Sequence, residues 1–217
     1  MKVVKMLLDT GKVDIDSKDN DGRTPLSWAR HEVVVKMLLD TGKVDADSKD
    51  DDGRTPLWWA AWRGLEAEVK LLLDTGKVDI DSKDNDGRTP LSWARHEVVV
   101  KMLLDTGKVD IDSKDNDGRT PLSWARHEVV VKMLLDTGKV DADSKDDDGR
   151  TPLWWAAWRG LEAEVKLLLD TGKVDVNSKD KDGRTPLSCA VKHGHERVVK
   201  MLLDTGKVDA DLKEMDG

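Results

Sequence analysis

Val198, Val199, Leu202 and Leu203 recur at the spacing of one helix face, which predicts a helix from about His195 to Asp204. Gly206 stands just past its end, where a left-handed residue closes a helix. Upstream, Thr185 is a good N-cap and Pro186 suits the first helical position, where its missing N–H costs nothing. A short helix from Leu187 to His193 follows, and Gly194 supplies the backbone freedom to reverse. Glu196 and Lys200 stand four apart in the favourable order, a pair worth ~0.2–0.5 kcal/mol on an exposed face. After the second helix, K-V-D-A-D-L-K-E-M-D-G is polar and turn-rich and ends on Asp-Gly. Helix, turn, helix, polar hairpin is therefore one unit.

That unit recurs along the whole chain, which is the mark of a repeat architecture. The string D-G-R-T-P-L starts at Asp21, Asp52, Asp86, Asp117, Asp148 and Asp182, at spacings of 31, 34, 31, 31 and 34 residues. The string L-L-D-T-G-K-V-D begins at Leu7, Leu38, Leu72, Leu103, Leu134, Leu168 and Leu202. The expected division is a partial unit 1–20, complete units 21–51, 52–85, 86–116, 117–147, 148–181 and 182–215, and the start of a further unit at 216–217. A longer period lies above this one. Val3 to Asp79 is identical to Val99 to Asp175, at an offset of 96, so two blocks carry almost the same surface.

Composition agrees with a thin, repeated core. The apolar set is 38% and the charged set 37%, with no Phe and no Tyr. That is lean for one globular core, and suits a solenoid in which each unit buries a layer against its neighbours. The net charge of −8, with Lys and Arg scattered among Asp and Glu, argues against a nucleic-acid surface, which would show a basic patch. No run approaches the ~20 apolar residues of a membrane helix, and the start of the chain has too short an apolar run for a signal peptide. One cysteine, Cys189, excludes an intrachain disulfide and favours a reducing compartment. The expectation is a cytoplasmic protein.

T-P-L opening the first helix, then A, G-H, V-V-K-x-L-L, G and V-D in register resembles the ankyrin repeat over essentially the whole chain. The resemblance implies an all-α, ankyrin-type helical-repeat solenoid with hairpin loops, acting as a non-catalytic protein-binding module through its hairpin tips and inner-helix face. The form L-L-D-T-G-K-V-D-x-x-S-K-D-x-D-G-R-T-P-L-S-W-A also looks like the near-identical arrays of fungal immune-receptor-like proteins.

Three of the six complete units are shortened by three residues. Thr24-Pro25-Leu26-Ser27-Trp28-Ala29-Arg30-His31-Glu32 stands where the full form reads T-P-L-S-C-A-V-K-H-G-H-E, and the units at Thr89 and Thr120 repeat the loss. The turn glycine is gone, so a reversal would fall on Ala, Arg or His, which accept positive φ poorly. Two outcomes are open. The inner helix shrinks to about one turn with a strained reversal, or the two helices merge along the stripe Leu26, Ala29, Val33, Met37 and Leu38. Full-length neighbours acting as templates favour the first. The helix beginning at Met1 lacks an inner partner and should expose Val4, Leu7 and Leu8, and no polar capping unit is evident.

Several motifs overlap catalytic or ligand-binding signatures. L-L-D-T-G overlaps the aspartic-protease signature, yet Lys12 follows it where Ser, Thr or Ala belongs, and it recurs at helix ends rather than as two converging copies. S-K-D-N-D-G resembles a calcium loop, but the twelfth position, which needs a bidentate Glu, is Trp28 or Trp59; its carboxylates should cap backbone amides instead. T-G-K lacks the rest of a phosphate loop, and His193 with His195 is too few ligands for a metal. No enzyme activity, cofactor, nucleic-acid, membrane or small-molecule partner is expected.

Trp28, Trp59, Trp93, Trp124 and Trp155 occupy an inner-helix position that, by the resemblance, faces the core; Trp58 and Trp154 replace its neighbouring Ser. Trp62 and Trp158 fall where the resemblance implies exposure, each followed by Arg63 or Arg159, and Trp and Arg are enriched at interface hot spots. The bland alternative is that each Trp fills space left by a shortened neighbour. The candidate binding surface joins these four residues to Arg54, Arg150 and the acidic hairpins Asn20–Asp21, Asp51–Asp52, Asn116–Asp117 and Asp147–Asp148. Its duplication suggests a bivalent or repetitive protein partner. The rival reading is a structural spacer or a decayed fragment without a partner. Glu68 and Glu164 stand where the outer helix elsewhere has Val, so the helix should rotate or the carboxylate should reach solvent.

Overall fold

The computed structural model of the protein describes residues 2–209. The further unit expected at 216–217, and the end of the last hairpin, lie outside the described residues. Thirteen helices and no strand occur among the described residues. The outer helices are α1 (Lys2–Asp9), α3 (Glu32–Asp40), α5 (Glu66–Asp74), α7 (Glu97–Asp105), α9 (Glu128–Asp136), α11 (Glu162–Asp170) and α13 (Glu196–Asp204). The inner helices are α2 (Pro25–Trp28), α4 (Pro56–Arg63), α6 (Pro90–Trp93), α8 (Pro121–Trp124), α10 (Pro152–Arg159) and α12 (Pro186–Lys192). Two compact bodies, Met1–Asp110 and Ile111–Gly217, hold α1–α7 and α8–α13. In the first, α2 packs on α4 and α4 on α6, while α3 packs on α5 and α5 on α7. In the second, α8, α10 and α12 stack in the same way, as do α9, α11 and α13.

Each inner helix has Thr at its N-cap and Pro in its first turn, and in all but α8 the Thr side chain caps a backbone amide. The Thr55 hydroxyl accepts from the Trp58 amide at 3.2 Å, and Thr151 does so for Trp154. The full-length helix α4 ends in a left-handed glycine, with Gly64 at φ 71°. The Leu65 amide donates to the Ala60 carbonyl at 3.0 Å and Gly64 to Ala61 at 3.3 Å, the paired bonds that satisfy the last carbonyls of a helix.

The shortened units keep two helices each, so the merged-helix alternative is not what forms. α2, α6 and α8 are single four-residue turns. The expectation of a strained reversal is corrected: among the described residues no non-glycine residue has positive φ. Ala29 (φ −58°, ψ 128°) and His31 (φ −129°, ψ 121°) instead carry the chain across in extended conformation. Losing three residues removes most of a helical turn, and the link to the outer helix is made in extended backbone. These short helices pack chiefly on the full-length inner helices beside them, not on their own outer helices.

At α1 no residue is buried: Leu7 is exposed as expected, with Val3 and Met6, whereas Val4 and Leu8 are half-buried against the body. Glu68 and Glu164 do not rotate their helices. Each is 6% exposed and keeps the buried frame of its helix, Glu68 taking the position that Val99 fills one unit later.

Candidate functional site

The hairpin turns are organised around one aspartate per unit. Asp50 is typical: Oδ1 accepts from the Asp52 and Arg54 amides at 3.0 and 2.8 Å, and Oδ2 accepts from the Trp59 indole N–H at 2.8 Å. Asp19, Asp115 and Asp146 hold Trp28, Trp124 and Trp155 in the same way, at 2.6, 2.8 and 3.0 Å. The carboxylates of the calcium-like string are thus engaged in a turn and an indole clasp. Nothing in the sequence signalled the Trp partner nine residues on. Among the described residues, no group of three His, Cys, Asp or Glu is placed to hold a metal ion. Adjacent hairpins are joined by backbone bonds, Asp51 to Asp21 at 3.0 Å in the first body and Asp147 to Asp117 at 2.9 Å in the second.

Tryptophan burial differs from the uniform expectation. Trp59 and Trp155 are buried, Trp93 and Trp124 half-buried, and Trp28 is 42% exposed. The half-buried and exposed rings sit at the ends of four-residue helices, and α2 has no inner helix before it among the described residues. Trp28 is covered instead by the Arg23 guanidinium, 4.1 Å from its ring centre. Trp58 and Trp154, whose burial the sequence left open, are at 3% and 4%.

Trp62 and Trp158 are 38% and 40% exposed, near the ends of α4 and α10. Both are braced from beneath. Trp62 lies 6.1 Å from Trp58 and 5.6 Å from Trp59, and Trp158 lies 6.4 Å from Trp154 and 5.6 Å from Trp155. In the second body His193 stands edge-on to Trp158 at 5.7 Å, and the His195 ring bonds the Trp158 carbonyl at 3.1 Å.

Arg63 and Arg159 turn the other way. Each guanidinium reaches back 36 residues, to the Ser27 carbonyl at 2.9 Å and the Ser123 carbonyl at 2.8 Å, in the shortened helix of the preceding unit. Each also lies over its own unit's Trp, 4.5 Å from the Trp59 ring and 4.9 Å from the Trp155 ring. A helix cut to four residues leaves carbonyls unpaired, and these arginines satisfy them. Burial, and then the charges of Arg30 and Arg23, hold Arg63 below its ordinary pKa; burial, Arg126 and Arg119 lower Arg159 to about 10.

Arg54 and Arg150 are half-buried, pair with Asp52 and Asp148, and cover Trp58 and Trp154 at 4.8 and 5.1 Å. Asp51, Asp52, Asp147 and Asp148 are exposed at the hairpin tips. In the first body a shallow cleft of about 250 Å³ opens at these tips, between Asp21, Asp51 and Asp52 and the side chains of Arg23, Arg54 and Trp59. Cys189 is buried against Trp154 and Trp155, and burial, with Asp180 nearby, pushes its thiol up to about 11, which leaves no thiolate nucleophile at neutral pH. No helix among the described residues is long and apolar enough to cross a membrane.

A comparison with curated proteins finds no match. The family model described as ankyrin repeats in three copies matches residues 1–84, 30–115, 68–144 and 126–216. Together with helix pairs opened by T-P-L and joined by polar hairpins, that match shows that the chain belongs to the ankyrin repeat family.

Proposed function

We propose that this chain binds a protein partner through the exposed ends of its full-length inner helices, with Trp62 and Trp158 as the anchoring contacts. Ankyrin repeats are in general protein-interaction modules and a non-catalytic kind of scaffold. The observation that carries the reading is the pair of indoles, 38% and 40% exposed, each held in place by two buried rings. A rigid, half-open aromatic ring offers contact area at low entropic cost, which is why Trp anchors interfaces. We add the exposed carboxylates Asp51, Asp52, Asp147 and Asp148 to the proposed surface, with Asp52 and Asp148 paired to Arg54 and Arg150. We read the units 21–51, 52–85, 86–116, 117–147, 148–181 and 182–215 as one interaction array, carried by a longer receptor-like protein and serving a cytoplasmic partner. The sequence likeness to receptor-borne arrays supports that context.

The test is selection of random twelve-residue peptides on the full chain, with a Trp62→Ala, Trp158→Ala double variant as counter-screen. Peptides that bind the parent chain and lose about tenfold or more in affinity on the double variant are expected, since hot-spot truncations cost ~2 kcal/mol or more. Selected peptides that bind both equally, in a variant that remains folded, would refute the assignment.

A further inference from the structure

Two sets of arginines differ in their partners. Arg23, Arg54, Arg88, Arg119, Arg150 and Arg184 each pair with aspartates of their own hairpin turn. Arg30, Arg63, Arg126 and Arg159 have no carboxylate within ion-pair distance among the described residues, although the chain carries a net charge of −8. Arg95 likewise has none among the described residues and lies over the Trp93 ring at 5.5 Å, whereas the other four gather in two places. Arg63 bonds the Ser27 carbonyl, three residues before Arg30, and directly follows Trp62; Arg159, Ser123, Arg126 and Trp158 repeat the arrangement 96 residues later. Arg30 and Arg126 are exposed, on the short extended links that replace the missing helical turn.

From this placement, and resting on the partner-binding reading above, we infer that each site takes an acidic peptide segment of the partner, its carboxylates on Arg30–Arg63 and Arg126–Arg159 and an apolar side chain on Trp62 or Trp158. Charge complementarity selects this occupant over a basic one. Guanidinium groups offer carboxylates two parallel hydrogen bonds; Arg30 and Arg126 lie exposed on the links, while Arg63 and Arg159 each commit one N–H to a serine carbonyl. Of the hairpin carboxylates, Asp52 and Asp148 are committed to Arg54 and Arg150. Burial is the main cause that depresses Arg63 and Arg159; the smaller like-charge part, from Arg30 and Arg23 or Arg126 and Arg119, is relieved when an anion arrives. Binding should accordingly weaken as salt rises through the range where the screening length falls below ~10 Å.

The experiment is fluorescence anisotropy with two labelled twelve-residue peptides, one alternating Glu and Leu, the other Lys and Leu. They are titrated with the full chain and with an Arg30→Glu, Arg126→Glu variant, whose altered side chains make no hydrogen bond or ion pair among the described residues. The acidic peptide should bind at least about tenfold more tightly than the basic one. Charge reversal should weaken it by about tenfold or more at an unchanged melting temperature. Equal affinity for the two peptides, or an acidic-peptide affinity indifferent to the double reversal, overturns the inference. If the acidic peptide fails while library-selected peptides still depend on Trp62 and Trp158, only the charge preference falls. If those peptides also ignore the two tryptophans, the binding reading falls with it.

Discussion

Trp62 and Arg63 are consecutive in the chain and take opposite duties in the fold. The indole faces out over two buried rings, while the guanidinium turns in to a carbonyl of the preceding unit. Replacing Arg63 or Arg159 with Ala should therefore lower stability by roughly 1.5–3 kcal/mol, the range for a hydrogen bond to a charged group. Arg30→Ala should leave thermal unfolding within about 0.5 kcal/mol of the parent, as surface changes usually do. Chemical denaturation of the three single variants checks both statements. Hot-spot enrichment alone marks Trp and Arg alike, so residue type could not separate the two roles. A cue to the inward turn lay 36 residues upstream, in the shortened helix whose carbonyls lack partners. Gly64 allows a similar comparison with Gly76. Both have positive φ, but a side chain at Gly64 would run into the His96 ring, while Gly76 has open space around it. Gly76→Ala should cost about 1–2 kcal/mol of backbone strain, and Gly64→Ala measurably more in the same assay.

At the scale of the elements, the repeat spacing made the helix pairs legible. The starts at Thr-Pro-Leu and the glycine ends fell where expected because caps and left-handed glycines act locally. The shortened inner helices were less legible. Their survival depends on packing against full-length neighbours, and their strain-free exit rests on extended Ala29 and His31, neither of which a local pattern reports. A second ladder joins successive units, in which Asp47, Asp81 and Asp143 accept the amides of Asp79, Asp110 and Asp175. Burial is the main reason their carboxyls lie above the ordinary value; for Asp47 the charges of Asp79 and Asp45 add to it, with Asp110 and Asp79 acting on Asp81, and Asp175 and Asp141 on Asp143. Lys49, Lys83 and Lys145 partly oppose the shift. Such raised carboxyls cost folding energy above their folded pKa, and the cost is relieved as pH falls through that value toward 3.8. Asp19 has the opposite sign. Chiefly through the Trp28 N–H it is held to about 2, so its contribution is present above 3.8 and is lost as pH falls from there toward 2. At the same ladder position Asn177 accepts the Asp209 amide at 2.9 Å and also donates to the Lys207 carbonyl at 2.8 Å. Asp47→Asn, Asp81→Asn and Asp143→Asn should thus each stabilise the chain at pH 7, by about 0.5–1.5 kcal/mol, the worth of one added hydrogen bond. The gain should shrink near pH 4, as the native carboxyls take up protons; unfolding curves at the two pH values decide it.

For the whole molecule, the identity of Val3–Asp79 with Val99–Asp175 has the clearest functional consequence. Each compact body carries one Trp–Arg site of the same residues, while the neighbours differ: His193 flanks Trp158, whereas a shortened unit follows Trp62. The duplication could be read directly from the sequence. The contrast in surroundings could not, because it arises from packing between units. Two related sites of unequal affinity follow, and a partner with two matching segments would gain from engaging both when its linker spans them. Calorimetric titration of the chain with one library-selected monovalent peptide addresses this most directly. Two peptides should bind each chain, with Trp62→Ala abolishing one event and Trp158→Ala the other while both variants melt as the parent does. A single binding event, or two events that survive both substitutions in folded protein, would contradict the assignment of these tryptophans as the places where this array meets its partner.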